Sequence, residues 1–80
     1  MTAEDLKERL RAIVMEVAEI DEVPDDQPFK DLGIDSMMAI EIVAEVERTY
    51  KLSIPEEELQ ELTNFTAVFE KVRSKLNAAA

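Results

Sequence analysis

The sequence predicts an all-α fold, a small bundle of three longer helices plus one short helix, with a long loop between helices one and two. Apolar residues recur at spacings of three and four in three segments, which is the period of one helix face. Between the first two segments, Pro24, Pro28 and Gly33 interrupt that pattern. No segment is predicted to be a strand.

The first predicted helix runs from Thr2 to about Ala18. Thr2 and Asp5 have the spacing of a capping box, with Asp in place of the usual Glu. The apolar stripe that should face the core consists of Leu6, Leu10, Ile13, Val17 and Ile20. Three polar side chains lie off this stripe and are expected in solvent: Arg9, Arg11 and Glu16.

Residues 21–35 are predicted to form the long connection, because they combine helix breakers with turn-forming aspartates. A connection of this length is unusual in a small domain and is often functional. Ordering it carries an entropic cost, so apolar side chains should anchor it to the core. The expected anchors are Phe29, Leu32 and Ile34.

The second predicted helix runs from Ser36 to about Tyr50. Its stripe is Met37, Ile40, Val43, Val46 and Tyr50, and its acidic outer side is Glu41, Glu45 and Glu47. Beyond it, Pro55 is expected to start a short helix that ends near Leu62. Thr63 or Asn64 should then cap a last helix that reaches about Leu76, followed by a frayed tail at 77–80. The whole chain, 1–80, is interpreted as one domain.

Composition excludes several classes of function. Nineteen Asp and Glu against nine Lys and Arg give a net charge of −10, which disfavours nucleic acid and anionic membrane surfaces as partners. The chain has no Cys and no His, so disulfides, structural zinc sites and Cys or His nucleophile–base chemistry are ruled out. No apolar run reaches the roughly 20 residues that span a bilayer. A cytoplasmic monomer without bound metal is the expectation.

Ser36 is the candidate functional residue. It stands where the acidic loop ends and the second helix begins, and the N-terminus of a helix favours a bound phosphate. From position alone, Ser36 is either a helix cap or a point of attachment for a phosphate-linked group. Catalysis by Ser36 itself would need Lys30 as its base, since the chain has no His.

A resemblance to a known family bears on this choice. The sequence Leu-Gly-Ile-Asp-Ser-Met at 32–37 resembles the attachment motif of acyl carrier proteins, where Gly-x-Asp-Ser-Leu is typical. The likeness extends to length, acidity, element order and the Ile54-Pro55-acid segment. It implies that Ser36 carries 4′-phosphopantetheine, transferred from coenzyme A by a phosphopantetheinyl transferase. The arm's thiol would hold acyl groups as thioesters, so the chain would be a carrier and not an enzyme.

The resemblance also implies roles for other residues. Asp35 would support the hydroxyl and Mg²⁺ in the transferase complex, or would only cap the helix. Acyl-transfer and synthase enzymes with basic patches would dock on Met37, Ile40, Glu41, Glu47 and Glu56. Any cavity for the cargo should be lined by Val43, Val46, Ile54, Leu59, Leu62 and Val68, although an ordinary closed core is the alternative. No large preformed pocket is expected.

Two departures bear on the pathway. Carriers of fatty-acid synthesis usually have an acidic residue directly after the Asp-Ser-Leu triplet, where this chain has Met38, and Arg48 is basic where they are mostly acidic. The apolar first turn is more similar to polyketide or nonribosomal-peptide carriers. Fatty-acid, polyketide and related lipid synthesis stay open at this point, as do an aminoacyl or peptidyl cargo and an acidic adaptor without an arm.

Overall fold

The computed structural model describes residues 2–79, and Met1 and Ala80 lie outside the described residues. Every regular element in that range is helical, as predicted. The α-helices are α1 (Ala3–Ala18), α2 (Ser36–Tyr50), α3 (Glu56–Leu59) and α4 (Phe65–Ala79), and a 3₁₀ helix spans Phe29–Leu32. Helix α1 packs against both α2 and α4. No helix among the described residues is long and apolar enough to cross a membrane.

The predicted capping box at the start of α1 is confirmed. The Thr2 Oγ1 accepts a hydrogen bond from the Asp5 amide at 3.1 Å, and the Asp5 carboxylate accepts one from the Thr2 amide at 3.5 Å. The helix ends at Glu19, whose φ of 55° is left-handed. These two ends fix α1 within one residue of its predicted bounds.

The faces of α1 and α2 differ from the predicted stripes. In α1 the buried residues are Leu6, Leu10, Val14 and Ala18. Ile13 and Val17 are half-buried, as is Ile20, which follows the end of the helix. In α2 the buried residues are Ile42, Val43 and Val46, and both Met37 and Ile40 are exposed. Steps of three residues turn only about 300° each, so Met37 and Val46 lie about 180° apart around the helix. The predicted stripe therefore begins on the solvent side of α2 at Met37 and reaches the core side only at Val43 and Val46.

The C-terminal half also shows corrected boundaries. Pro55 is the N-cap of α3 instead of its first residue, and the helix ends at Leu59, three residues earlier than expected. Asn64 caps α4 as predicted, because its Oδ1 accepts a hydrogen bond from the Ala67 amide at 2.8 Å. Helix α4 continues through Ala79, so the tail predicted to fray is helical at 77–79. The single-domain interpretation stays a prediction.

The long connection is fixed by buried side chains and by hydrogen bonds to distant residues. Phe29 and Ile34 are buried as expected and Leu32 is half-buried, while Val23 is an anchor that the sequence pattern missed. The Phe29 amide donates to the Thr63 carbonyl at 2.8 Å, which joins the 3₁₀ helix to the segment before α4. The connection is thus an ordered part of the fold.

Arg11 is central to that order, contrary to the prediction that it is solvated. Its guanidinium is half-buried and donates hydrogen bonds to the Val23 carbonyl and to the Asp25 carboxylate. It also lies over the ring of Phe65, 4.4 Å from the centroid, where a cation–π contact is favourable. Lys7 adds a second ion pair to Asp25 at 2.9 Å. Arg9 and Glu16 are exposed, as expected.

Candidate functional site

The site begins where the connection turns into α2. Gly33 has a φ of 80°, a left-handed conformation in which a residue with a Cβ is strained, and it ends the 3₁₀ helix. Ile34 is then buried, which brings the chain back onto the core directly before Asp35 and Ser36. This turn, followed by a buried anchor, presents Ser36 at the surface as the first residue of α2.

Asp35, and not Ser36, caps the helix. Asp35 has extended backbone angles, and its Oδ1 accepts a hydrogen bond from the Met38 amide at 2.9 Å. Asp35 therefore caps α2, and its support of the hydroxyl and Mg²⁺ in a transferase complex stays a prediction. The hydroxyl of Ser36 is exposed and makes no hydrogen bond to any of residues 2–79. Ser36 is thus free for chemistry that a cap would obstruct.

The electrostatics around Ser36 favour an anion. It opens a helix of 15 residues, whose first turn contains no acidic side chain. The first amides of a helix have no intrahelical acceptor, and the helix dipole places partial positive charge there. The site therefore suits a phosphodiester on the Ser36 oxygen, although Asp35 contributes a nearby negative charge.

An open pocket of about 440 Å³ lies beside Ser36. Its walls come from the 3₁₀ helix, the start of α2 and the segment that precedes α4. The lining residues are Pro28, Phe29, Lys30, Ile34, Asp35, Ser36, Ala39, Leu62 and Thr63. The surface of the pocket is mainly apolar, and Lys30 is the one cationic residue in its lining.

The predicted cargo-lining residues lie mostly elsewhere. Val43, Val46, Ile54, Leu62 and Val68 are all buried in the core, and Leu59 is half-buried against it. Of the six, only Leu62 lines the pocket beside Ser36. The pocket residues Phe29 and Ala39 were not predicted for this role, because sequence spacing gives no measure of where helices leave a gap. Whether the other five contact a cargo stays a prediction.

The predicted docking residues do not all share one surface role. Met37 is 73% exposed and Ile40 is 54% exposed, so α2 presents apolar surface directly after Ser36. Glu41 and Glu56 are exposed as well. Glu47, expected on the outer side, is half-buried, and its carboxylate accepts a hydrogen bond from the Ile54 amide at 2.8 Å. Glu47 thus holds the turn between α2 and α3.

The sequence matches a known family over the same region. The profile described as "Phosphopantetheine attachment site" matches residues 8–70. The chain belongs to the phosphopantetheine-attachment family of acyl carrier proteins. Members of this family carry a covalently attached phosphopantetheine and are carriers and not enzymes.

Similar proteins include carriers of matching size. The chain is 41% identical over 73 residues to polyketide-8 synthase acyl carrier protein 2 of Streptomyces avermitilis, covering 88% of this chain and 84% of that one. It is 41% identical over 76 residues to the anthracycline acyl carrier protein DpsG of Streptomyces peucetius, covering 89% and 90%.

Much larger proteins contain a similar segment. The non-reducing polyketide synthase pigA of Monascus ruber is 36% identical over 77 residues, which is 94% of this carrier but 3% of the synthase. The chain likewise spans 3% of the synthase dbaI of Emericella nidulans.

Within residues 2–79 of this carrier, no group of three or more acidic side chains is placed to hold a metal ion.

Proposed function

We propose that this protein is a polyketide acyl carrier protein whose phosphopantetheine arm is attached to the Ser36 Oγ. The observation that carries the assignment is the capping of α2 by Asp35, which leaves the Ser36 hydroxyl exposed and without a hydrogen-bond partner. The helix N-terminus favours the negative charge of the phosphodiester. The names of the similar carriers, one of polyketide and one of anthracycline synthesis, support polyketide intermediates as cargo.

The attachment is tested by intact mass after incubation with a phosphopantetheinyl transferase and coenzyme A. The wild type should gain the mass of one phosphopantetheinyl group, and Ser36→Ala should gain none. Ser53→Ala is the matched control, since Ser53 is another exposed serine and lies outside α2. Equal gain by Ser36→Ala, or no gain by the wild type, would contradict the assignment and favour an adaptor without an arm.

The cargo class is tested on the loaded carrier. An acyltransferase that supplies malonyl groups should acylate the thiol, whereas an adenylating enzyme should not load an amino acid onto it. Efficient amino-acid loading would favour the aminoacyl alternative. The apolar turn of Met37 and Met38 favours polyketide over fatty-acid synthesis. If the loaded carrier delivered its acyl group to enzymes of both pathways at the same rate, that preference would be wrong.

We also propose that partner enzymes dock on the exposed part of α2 and on Glu56 of α3. The support is the combination of Met37 and Ile40, which offer apolar area, with Glu41, which offers charge for a basic patch. Charge at a surface mainly raises the encounter rate, while apolar burial slows dissociation. Glu47 is left out of this surface because its carboxylate binds the Ile54 amide.

The docking surface is tested by substitution at low salt. Glu41→Lys should slow acyl transfer severalfold, with unchanged helicity by circular dichroism. Glu8→Lys, the same change at an exposed position on α1, should leave the rate within about twofold of wild type, since Glu8 belongs to neither α2 nor α3. Similar rates for the two variants would exclude a docking role for Glu41.

A further inference from the structure

Lys30 is a cation without an internal partner in the pocket beside Ser36. Within residues 2–79, salt bridges engage six of the nine Lys and Arg side chains, and those outside these pairs are Arg9, Lys30 and Lys51. Lys30 lies on the 3₁₀ helix and lines the same pocket as Ser36. Of these three cations, only Lys30 lines the pocket that contains Ser36.

An arm on Ser36 would bring an anion to this pocket first. The phosphodiester is the part of the arm that is bonded directly to the serine oxygen, and it carries one negative charge. The next part, the pantoyl group, bears two geminal methyl groups on a quaternary carbon. Phe29, Ile34 and Leu62 line the pocket with apolar surface that fits such a group.

We propose that Lys30 pairs with the phosphodiester and seats the pantoyl segment against Ile34 and Leu62, so that the near half of the arm docks on the carrier. This inference rests on the proposed attachment at Ser36. Lys30 is then a positioning residue, since it touches the arm and not the reacting thioester. Lys30 is exposed, so the pair is weak and salt-dependent, which lets the arm leave the pocket when a partner enzyme binds.

The position of Lys30 sets the direction of the effect. The neighbouring Phe29 holds the backbone of Lys30 in place, because its side chain is 5% exposed and its amide donates a hydrogen bond to the Thr63 carbonyl. Asp35 lines the same pocket and competes with the phosphodiester for Lys30 through the carboxylate oxygen that the Met38 amide leaves free. Docking should therefore depend on the charge at position 30 more than on the shape of that side chain.

The test compares arm contacts in fully loaded proteins, after mass spectrometry shows complete modification of each variant. Nuclear Overhauser effects between the pantoyl methyls and the methyls of Ile34 and Leu62 report docking, and the ³¹P shift reports the environment of the phosphodiester. Lys30→Met should weaken the methyl contacts about two- to fivefold, the range that an exposed ion pair supports. Lys30→Arg should retain them.

Lys51→Met is the matched control, because Lys51 is also outside the salt bridges but follows the far end of α2. It should leave both signals at wild-type values, and about 1 M salt should weaken the contacts of the wild type as Lys30→Met does. Complete modification with identical signals in wild type and Lys30→Met would overturn this inference while leaving the attachment intact. A failure of all proteins to be modified would instead overturn the attachment.

Discussion

The Asp35 carboxylate accepts a hydrogen bond from the Met38 amide at 2.9 Å, and this contact frees the adjacent serine from any capping role. This hydrogen bond uses the Oδ1 of Asp35. The other carboxylate oxygen makes no hydrogen bond to a described residue. One side chain can thus stabilise the helix and still offer an oxygen to a metal ion or hydroxyl in a transferase complex.

The two roles of Asp35 are separable. Asp35→Ala should lower the free energy of unfolding by about 1 kcal/mol, the usual cost of losing an N-cap, whereas Asp35→Asn should change it by a few tenths. Both substitutions should slow modification by the transferase, because both remove the carboxylate charge. Urea denaturation and timed intact-mass measurements give the two quantities. If the transferase modified Asp35→Asn at the wild-type rate, capping would be the only role of Asp35.

Glu47 should matter for stability more than for docking. Removing its carboxylate in Glu47→Ala leaves the amide of the buried Ile54 without its acceptor, which should cost about 1–3 kcal/mol. Glu45→Ala is the control, since Glu45 pairs with Arg48 on the surface of the same helix. That variant should change stability by less than about 1 kcal/mol in the same urea titration. Equal losses would show that the Ile54 contact contributes little.

Tyr50 carries a buried hydroxyl without a hydrogen-bond partner among the described residues. Tyr50→Phe should therefore raise the free energy of unfolding by about 1 kcal/mol, because the folded state no longer contains an unsatisfied polar group. Thermal and urea unfolding at neutral pH measure the change. A loss of stability would indicate that the hydroxyl has a partner in solution, such as an ordered water molecule.

Tyr50 should also make the protein sensitive to alkali. Burial raises the pKa of Tyr50 above its ordinary value of 10.0, against a lowering effect from Arg9. Because the unfolded chain then loses the proton first, stability should fall as the pH rises above about 10 in wild type. The chain has one Tyr and no Trp, so absorbance at about 295 nm follows this titration directly. Tyr50→Phe should show a smaller alkaline loss.

Asp25 should contribute to the loss of stability in acid. Hydrogen bonds from Arg11 and then Lys7 hold the pKa of Asp25 below its ordinary value of 3.8, although burial opposes them. The stability from this lowered pKa is present above about pH 4 and is lost as the pH falls through the folded-state pKa. Asp25→Asn should lower the urea midpoint at pH 7 and flatten the decline in acid. Asp21→Asn, at an exposed position in the same connection, should do neither.

The sequence was most informative where a local pattern of residues is compatible with only one local structure. Helical spacing identified α1, α2 and α4, Pro55 indicated α3, and the Asp-Ser pair identified where α2 begins. It was less informative about which face is buried, because α2 is apolar on more than one side and Met37 begins on the solvent side. Pairings between distant residues were missed entirely. Arg11 with Asp25, and Glu47 with Ile54, depend on how elements meet, and no local spacing encodes that.

The bonds between the connection and α4 also bear on the order in which the protein matures. Thr66 donates to the Asp25 carbonyl across 41 residues, and the Phe29 amide donates to Thr63. Such distant contacts form late, since closing a long loop costs entropy before any contact offsets it. On a ribosome, the pocket beside Ser36 lacks part of its lining until Leu62 and Thr63 have emerged. A transferase that recognises this pocket would therefore act only after Thr63 has emerged and packed against the connection.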